Sequence, residues 1–165
     1  MIAGDSSDGE FDIVILDRGS AAALLTTPQR CSAISYLVSI GDPADEPPAG
    51  YGNIARKLRL EFEDSGPGGG PGEHDIEDLI HFARQIEVDP GAVLIHCHAG
   101  VSRSSAAAYI ILSMVLGPGR ETEALERVFA ARSIAVPNRR MVEIADRLLS
   151  RQGAMIAELA SAFPE

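Results

Sequence analysis

The sequence predicts a layered α/β domain, and three features of its patterning carry that prediction. Short runs rich in Val, Ile and Leu, each closed by turn residues, are spread over the first two thirds of the chain. Stretches with apolar residues at helical spacing fill the remainder. One apolar run, Ala92–His96, leads through a glycine-containing turn directly into an alanine-rich segment. In open α/β sheets that is where ligands bind, at the carboxyl ends of strands.

Phe11–Asp17 (FDIVILD) reads as a buried strand and Ser20–Leu25 as a short helix stopped before Pro28. Ala33–Ile40 (AISYLVSI) gives a second strand, ended by Gly41-Asp42-Pro43. Asp42–Gly52, with its prolines and acidic residues, is a loop, and Leu58–Phe62 is a third strand. Ser65–Gly72 (SGPGGGPG) can be neither helix nor strand, and it reads as a mobile loop inside one domain. Asp75 is the expected N-cap of a helix Ile76–Val88, whose Ile76, Leu79, Ile80 and Ala83 share one face. After the Ala92–His96 strand, helices are expected at Ser104–Leu116, Glu121–Arg132, Arg139–Ser150 and Ala154–Phe163. Gly117-Pro118-Gly119 ends the first of these, and Pro137-Asn138 precedes the third. One domain over residues 11–163 follows, with residues 1–10 as an untethered acidic tail.

The chemistry concentrates in His96-Cys97-His98-Ala99-Gly100-Val101-Ser102-Arg103-Ser104. A strand ending at a cysteine, followed by a turn and a helix, aims successive backbone N–H groups and the positive end of a helix dipole at one point. Such a point stabilises a thiolate and binds phosphoryl oxygens, the two requirements for a cysteine to attack a phosphate ester. The bland alternative is a buried structural cysteine with a surface arginine nearby; the complete strand–turn–helix context argues against it.

This stretch resembles the signature of the protein tyrosine phosphatase superfamily: His-Cys, five residues, Arg, then Ser or Thr. Its wording, Cys97-x-Ala99-Gly100-x-Ser102-Arg103-Ser104, is most similar to the small dual-specificity-like cysteine phosphatases, including bacterial members. The resemblance implies a mixed sheet of four or five strands flanked by helices. It also implies a phosphomonoester hydrolase working through a cysteinyl-phosphate intermediate on phosphotyrosine, with dual specificity as an option. It covers Leu58 to Ser150 closely and the first strands loosely.

On this reading Cys97 is the nucleophile and Arg103 grips two phosphate oxygens with its planar fork, a geometry that lysine does not reproduce. The backbone of His98, Ala99, Gly100, Val101, Ser102 and Arg103 binds the remaining charge. Gly100 permits the tight turn. Ser104 donates to the Cys97 sulfur, with a helix-cap role as the plain alternative. His96 fixes the loop by hydrogen bonds, a role that comes from the resemblance. Asp64, closing the third strand beside the glycine stretch, is chosen as the acid that protonates the leaving oxygen and later the base that activates water. The glycine stretch would let it move in and out. Its plain alternative is a strand-ending aspartate at a turn; Glu63 and Asp75 stand behind it. The resemblance makes Asn138 a supporting residue that ties a loop beside the cradle.

The other titratable residues receive plainer readings. His98 lies within the cradle, whereas His74 and His81 are expected on exposed helix surface. The histidines lack the partner set of a zinc site, so no metal or cofactor is expected. Cys31 is read as an unreactive residue at a strand start, the alternative being a protective disulfide with Cys97.

A net charge of −10 disfavours nucleic acid and anionic membrane as partners. It leaves a phosphorylated substrate open, because the cradle acts within a few ångströms while the diffuse field is screened over about 8–10 Å. The polar, acidic start lacks the pattern of a secretory signal, and no apolar run approaches the roughly 20 residues of a membrane span. A cytoplasmic monomer acting on a phosphorylated protein or small phosphomonoester is expected. An inositol-phosphate or phosphoinositide phosphatase is the first rival. The variable cradle positions His98, Ala99, Val101 and Ser102 supply no fixed cation for extra phosphates, which tilts against it. A non-catalytic phosphate-binding pseudophosphatase is the second, and a rhodanese-type sulfurtransferase fits the signature poorly.

Overall fold

A computed structural model describes residues 11–65 and 69–164. The tail at residues 1–10 and the middle of the glycine stretch lie outside the described residues, so the expectations placed on them are not addressed by it.

Four strands form one sheet: β1 (Ile13–Leu16), β2 (Tyr36–Gly41), β3 (Lys57–Glu61) and β4 (Val93–His96), in the order β1-β4-β2-β3. The expected α/β class and strand number hold, but the sheet is not mixed. All three pairings are parallel. The physical reason lies in the connections: each of them is long enough to carry the chain back to the starting edge of the sheet, as parallel pairing requires.

Seven helices are described: α1 (Arg18–Leu25), α2 (Pro28–Cys31), α3 (Glu73–Val88), α4 (Arg103–Leu116), α5 (Glu121–Ala131), α6 (Arg139–Leu148) and α7 (Ala154–Ala162). The sequence reading found all of them but α2, a single turn begun by Pro28. It ends at Cys31, which therefore closes a helix instead of opening a strand. Helix α3 starts earlier than expected. Its N-cap is Gly72, and Asp75 sits three residues in, where Oδ2 accepts the Gly72 N–H at 2.8 Å. A carboxylate there satisfies an otherwise orphaned amide and meets the positive end of the helix dipole.

Alternation along the strands sends neighbouring residues to opposite faces. Val93 and Ile95 join the larger apolar cluster with Ile15, Val38 and Ile40, under α3 to α7. Leu94 and Leu37 face the smaller one, with Leu24, Leu25, Ile54 and Cys31. Helix α4 is buried from Arg103 to Met114, and its run Ala106-Ala107-Ala108 offers small side chains where surrounding elements must approach closely. The strand β4 and the helix α4, both enclosed, hold the bend between them on rigid supports.

Candidate active site

That bend begins at Cys97, buried at the carboxyl end of β4, and ends at Arg103, the first residue of α4. Every carbonyl from His98 to Ser102 is taken by a donor. The Arg18 N–H donates to His98 O at 3.1 Å. Arg132 donates from Nη2 to Ala99 O at 3.1 Å and from Nε to Gly100 O at 3.0 Å. The Val136 N–H donates to Val101 O at 2.9 Å and the Asn138 N–H to Ser102 O at 3.1 Å. In a trans peptide the C=O and the following N–H point opposite ways, and no peptide described is cis. Carbonyls occupied by these flanking groups therefore leave the N–H groups of Ala99 to Arg103 for the opposite, inner side of the bend. An arc of amides at the start of a helix is an anion site.

Gly100 makes the bend possible, as its place in the turn suggested, and the structure adds what a side chain there would meet. It has φ +71°, and a Cβ there would lie 2.7 Å from Asp17 N and Leu16 C. The close approach is to the β1–α1 junction.

Arg103 is buried, and its Nη1 donates to Asp42 Oδ1 at 2.7 Å and to Phe62 O at 2.6 Å. One end of the guanidinium is thereby fixed, leaving its planar Nε–Nη2 edge free to donate to two oxygens of an oxyanion. Cys97 Sγ lies 3.1 Å from Ser104 Oγ. When the sulfur is a thiolate, only the hydroxyl of this pair can donate. The helix-cap alternative for Ser104 fails, since Ser102 occupies the cap position.

His96 is buried, with Nε2 at 2.7 Å from Ser39 Oγ and Nδ1 at 3.3 Å from Cys97 O. The parallel register sets Ser39 beside His96 on one side and beside Arg59 on the other. Arg59 Nη1 donates to Ser39 Oγ at 2.8 Å, and Gly41 leaves room for this guanidinium. Burial pushes the His96 pKa down to about 4; the Cys97 carbonyl opposes this, and the charges of Arg59 and Arg18 add to it. A neutral ring with its proton on Nδ1 satisfies both contacts: Ser39 donates to Nε2, and Nδ1–H donates to Cys97 O.

Asp64 sits at the other side of the cradle. Its Oδ1 accepts from Ser102 Oγ at 2.7 Å and from Asn138 Nδ2 at 2.9 Å, and the same Nδ2 donates to Asp64 O at 2.9 Å. Asn138 also caps α6 by accepting the Met141 N–H at 2.9 Å. Cys97, Ser102, Arg103, Ser104, Asp64 and Asn138 are thus linked through one bend. His98 and Ala99 are exposed on its rim and Val101 is half-buried. Glu63 and His81 are exposed, and His74 Nε2 lies 3.3 Å from Asp75 Oδ1, at the start of α3. Cys31 packs in the smaller cluster and Cys97 in the larger one, and both are free thiols. The alternative of a Cys31–Cys97 disulfide is not supported by this placement.

Sequence reasoning missed Asp42, Arg132, Ser39 and Arg59. Asp42 had one signal, its position directly after a strand beside Pro43. The others become legible only through register and tertiary contact. Among the described residues no group of three or more His, Cys, Asp or Glu could hold a metal ion, and no helix is long and apolar enough to cross a membrane.

Both the fold and a stretch of the sequence are similar to those of small dual-specificity phosphatases. Two relatives are similar in sequence, the dual specificity protein phosphatases 15 of rat and mouse, each 35% identical over 68 residues. That match covers 41% of this chain but only 28% of the length of either relative. No family model matches the chain. Among solved structures, the human tyrosine phosphatase-like serine/threonine/tyrosine-interacting protein superposes with a TM-score of 0.64 at 20% identity, over 86% of this chain and 93% of the other. Human DUSP28 gives 0.64 at 21%, over 85% and 94%. DUSP15 gives 0.62 at 24%, over 93% of each chain. At these identities the structural likeness establishes the fold.

Proposed function

We propose that the protein is a cysteine-dependent phosphatase of phosphotyrosine, with dual specificity toward phosphoserine and phosphothreonine open to it. The observation that carries this reading is the bend itself: its carbonyls are engaged from His98 to Ser102 while Cys97 Sγ, Ser104 Oγ and Arg103 gather beside its amides. The Cys97 thiolate attacks phosphorus and forms the S–P bond as the P–O bond to the alcohol or phenol breaks. Asp64, as the carboxylic acid, gives its proton to the departing oxygen. Water then attacks phosphorus, the Asp64 carboxylate takes its proton, and the S–P bond breaks with its electron pair returning to sulfur. Ser104 Oγ–H donates to the thiolate as it leaves. Arg103 and the inner amides hold the equatorial oxygens throughout.

Two free cysteines agree with a reducing compartment, and the reading requires no metal or cofactor. The test is hydrolysis of an aryl phosphate without added metal and in the presence of chelator. Cys97→Ser is expected to abolish turnover while the variant still binds substrate. Substantial activity in that variant would remove Cys97 as nucleophile. A phosphotyrosine peptide is expected to be hydrolysed faster than inositol phosphates, and the reverse order would assign the site to the latter.

A further inference from the structure

A serine at a helix N-cap ordinarily turns its hydroxyl oxygen to the amides of the first turn. Ser102 occupies that position before α4 and makes no such bond. Its hydroxyl instead donates to Asp64 Oδ1 at 2.7 Å, across to the segment that follows β3. Two further bonds fix the acid segment: Asn138 Nδ2 reaches the same Oδ1 and the Asp64 carbonyl, each at 2.9 Å. Both side-chain donors converge on one carboxylate oxygen. Oδ1 is therefore the oxygen held as acceptor, and the proton of the acid form belongs on Oδ2. Ser102 belongs to the cradle as well, since its carbonyl accepts from the Asn138 N–H and its own amide follows the engaged carbonyl of Val101.

From this we infer that Ser102 is a positioning residue for the acid, registering Asp64 to the bound phosphoryl group through a hydroxyl that the helix gives up as a cap. The inference rests on the phosphatase reading above. Ser102 touches the acid and not the leaving oxygen, so it acts through the orientation of Oδ2. In the first step the Oδ2–H bond breaks as its proton passes to the departing oxygen. In the second, Oδ2 recovers a proton from the attacking water, while the hydrogen bonds at Oδ1 stay in place. Asp64 is exposed, so without these donors its side chain would sample rotamers that aim the proton into solvent.

The experiment is steady-state hydrolysis of two esters by the full chain. Phenyl phosphate needs a proton on its leaving oxygen, and 4-nitrophenyl phosphate needs one far less. Ser102→Ala is expected to lower the ratio of kcat on phenyl phosphate to kcat on 4-nitrophenyl phosphate about tenfold, a fraction of the 10²–10⁴ that general acid catalysis supplies. Ser102→Thr, which keeps the hydroxyl, is expected to restore the ratio. In an Asp64→Ala background, adding Ser102→Ala is expected to leave the ratio where Asp64→Ala alone puts it. Equal losses on both esters, a rise in KM without a change in the ratio, or a full further loss in the Asp64→Ala background would overturn the role. Thermal unfolding of each variant separates misfolding from mispositioning, and the Thr variant tests the inference even if the Ala variant is unstable. A wild-type protein that hydrolyses neither ester would instead overturn the phosphatase reading.

Discussion

Arg103 and Asp42 meet at 2.7 Å across 61 positions of sequence, with the arginine buried and the aspartate half in solvent. The same Nη1 also reaches the Phe62 carbonyl, so two acceptors hold one end of the guanidinium before any ligand arrives. Preorganisation of this kind reduces what must be ordered on binding. The partial exposure of Asp42 screens the pair, which limits its worth to about 1 kcal/mol. Asp42→Ala is therefore expected to raise KM for an aryl phosphate by about fivefold. Arg103→Lys, which loses the planar fork, should cost at least about a hundredfold in kcat/KM. Steady-state kinetics with vanadate titration checks both. An Asp42→Ala variant as damaged as Arg103→Lys would contradict the argument.

Gly100 tests the backbone rather than the side chains. A Cβ would press on Leu16 and Asp17 main-chain atoms that cannot move without disturbing β1, at a φ that L-residues rarely adopt. Gly100→Ala should cost about 1–3 kcal/mol of stability and remove phosphate binding, because relief of the clash deforms the arc. Denaturant unfolding and phosphate inhibition measure the two effects. A stable variant with unchanged affinity would show that the arc tolerates displacement.

The parts of the site that follow one another in the chain are legible in the sequence alone. Cys97, Gly100, Arg103 and Ser104 lie within one strand–turn–helix, where local sequence dictates backbone direction. Strand positions were also legible, since Val and Ile runs between turn residues admit few other readings. Parallel pairing was not, because it depends on which strand edges meet. Nor was the row His96–Ser39–Arg59, which exists only when three strands adopt their register. Asp42 and Arg132 looked like ordinary surface charges. Nothing local tells a solvated arginine from one that bonds two carbonyls of a distant loop. Asp64 stood out at a strand end, but the identity of the groups holding it required the fold to bring α6 alongside.

Asn138 performs two tasks that a single substitution can separate. Its Oδ1 caps α6, and its Nδ2 holds Asp64. Asn138→Ala should lose both, with about 1 kcal/mol of stability from the cap. Asn138→Ser keeps an acceptor suited to the cap but has no reach to Asp64. Its stability should stay within a few tenths of a kcal/mol of wild type, while turnover of phenyl phosphate falls as far as in the Ala variant. Thermal melts paired with kinetics decide. If Asn138→Ser retains full turnover, the amide contributes only as a cap.

His96 is expected to set the acid sensitivity of the fold. Its folded-state pKa is lowered to about 4 by burial, from an ordinary value of about 6.5. Between those values the unfolded chain binds a proton that the native protein does not, so stability falls as pH falls. Above about pH 6.5 both states carry a neutral ring and the effect vanishes. Across the whole window the loss is on the order of 3 kcal/mol. Asp17 and Glu123 also have lowered pKa values, through the Ser20 and Arg120 hydrogen bonds respectively, but their contributions are lost below the ordinary carboxylate range. Urea unfolding at pH 7, 6 and 5 therefore reports mainly on the histidine, and His96→Gln should flatten the slope even if it lowers stability overall. An unchanged slope in that variant would mean that another group takes up the proton.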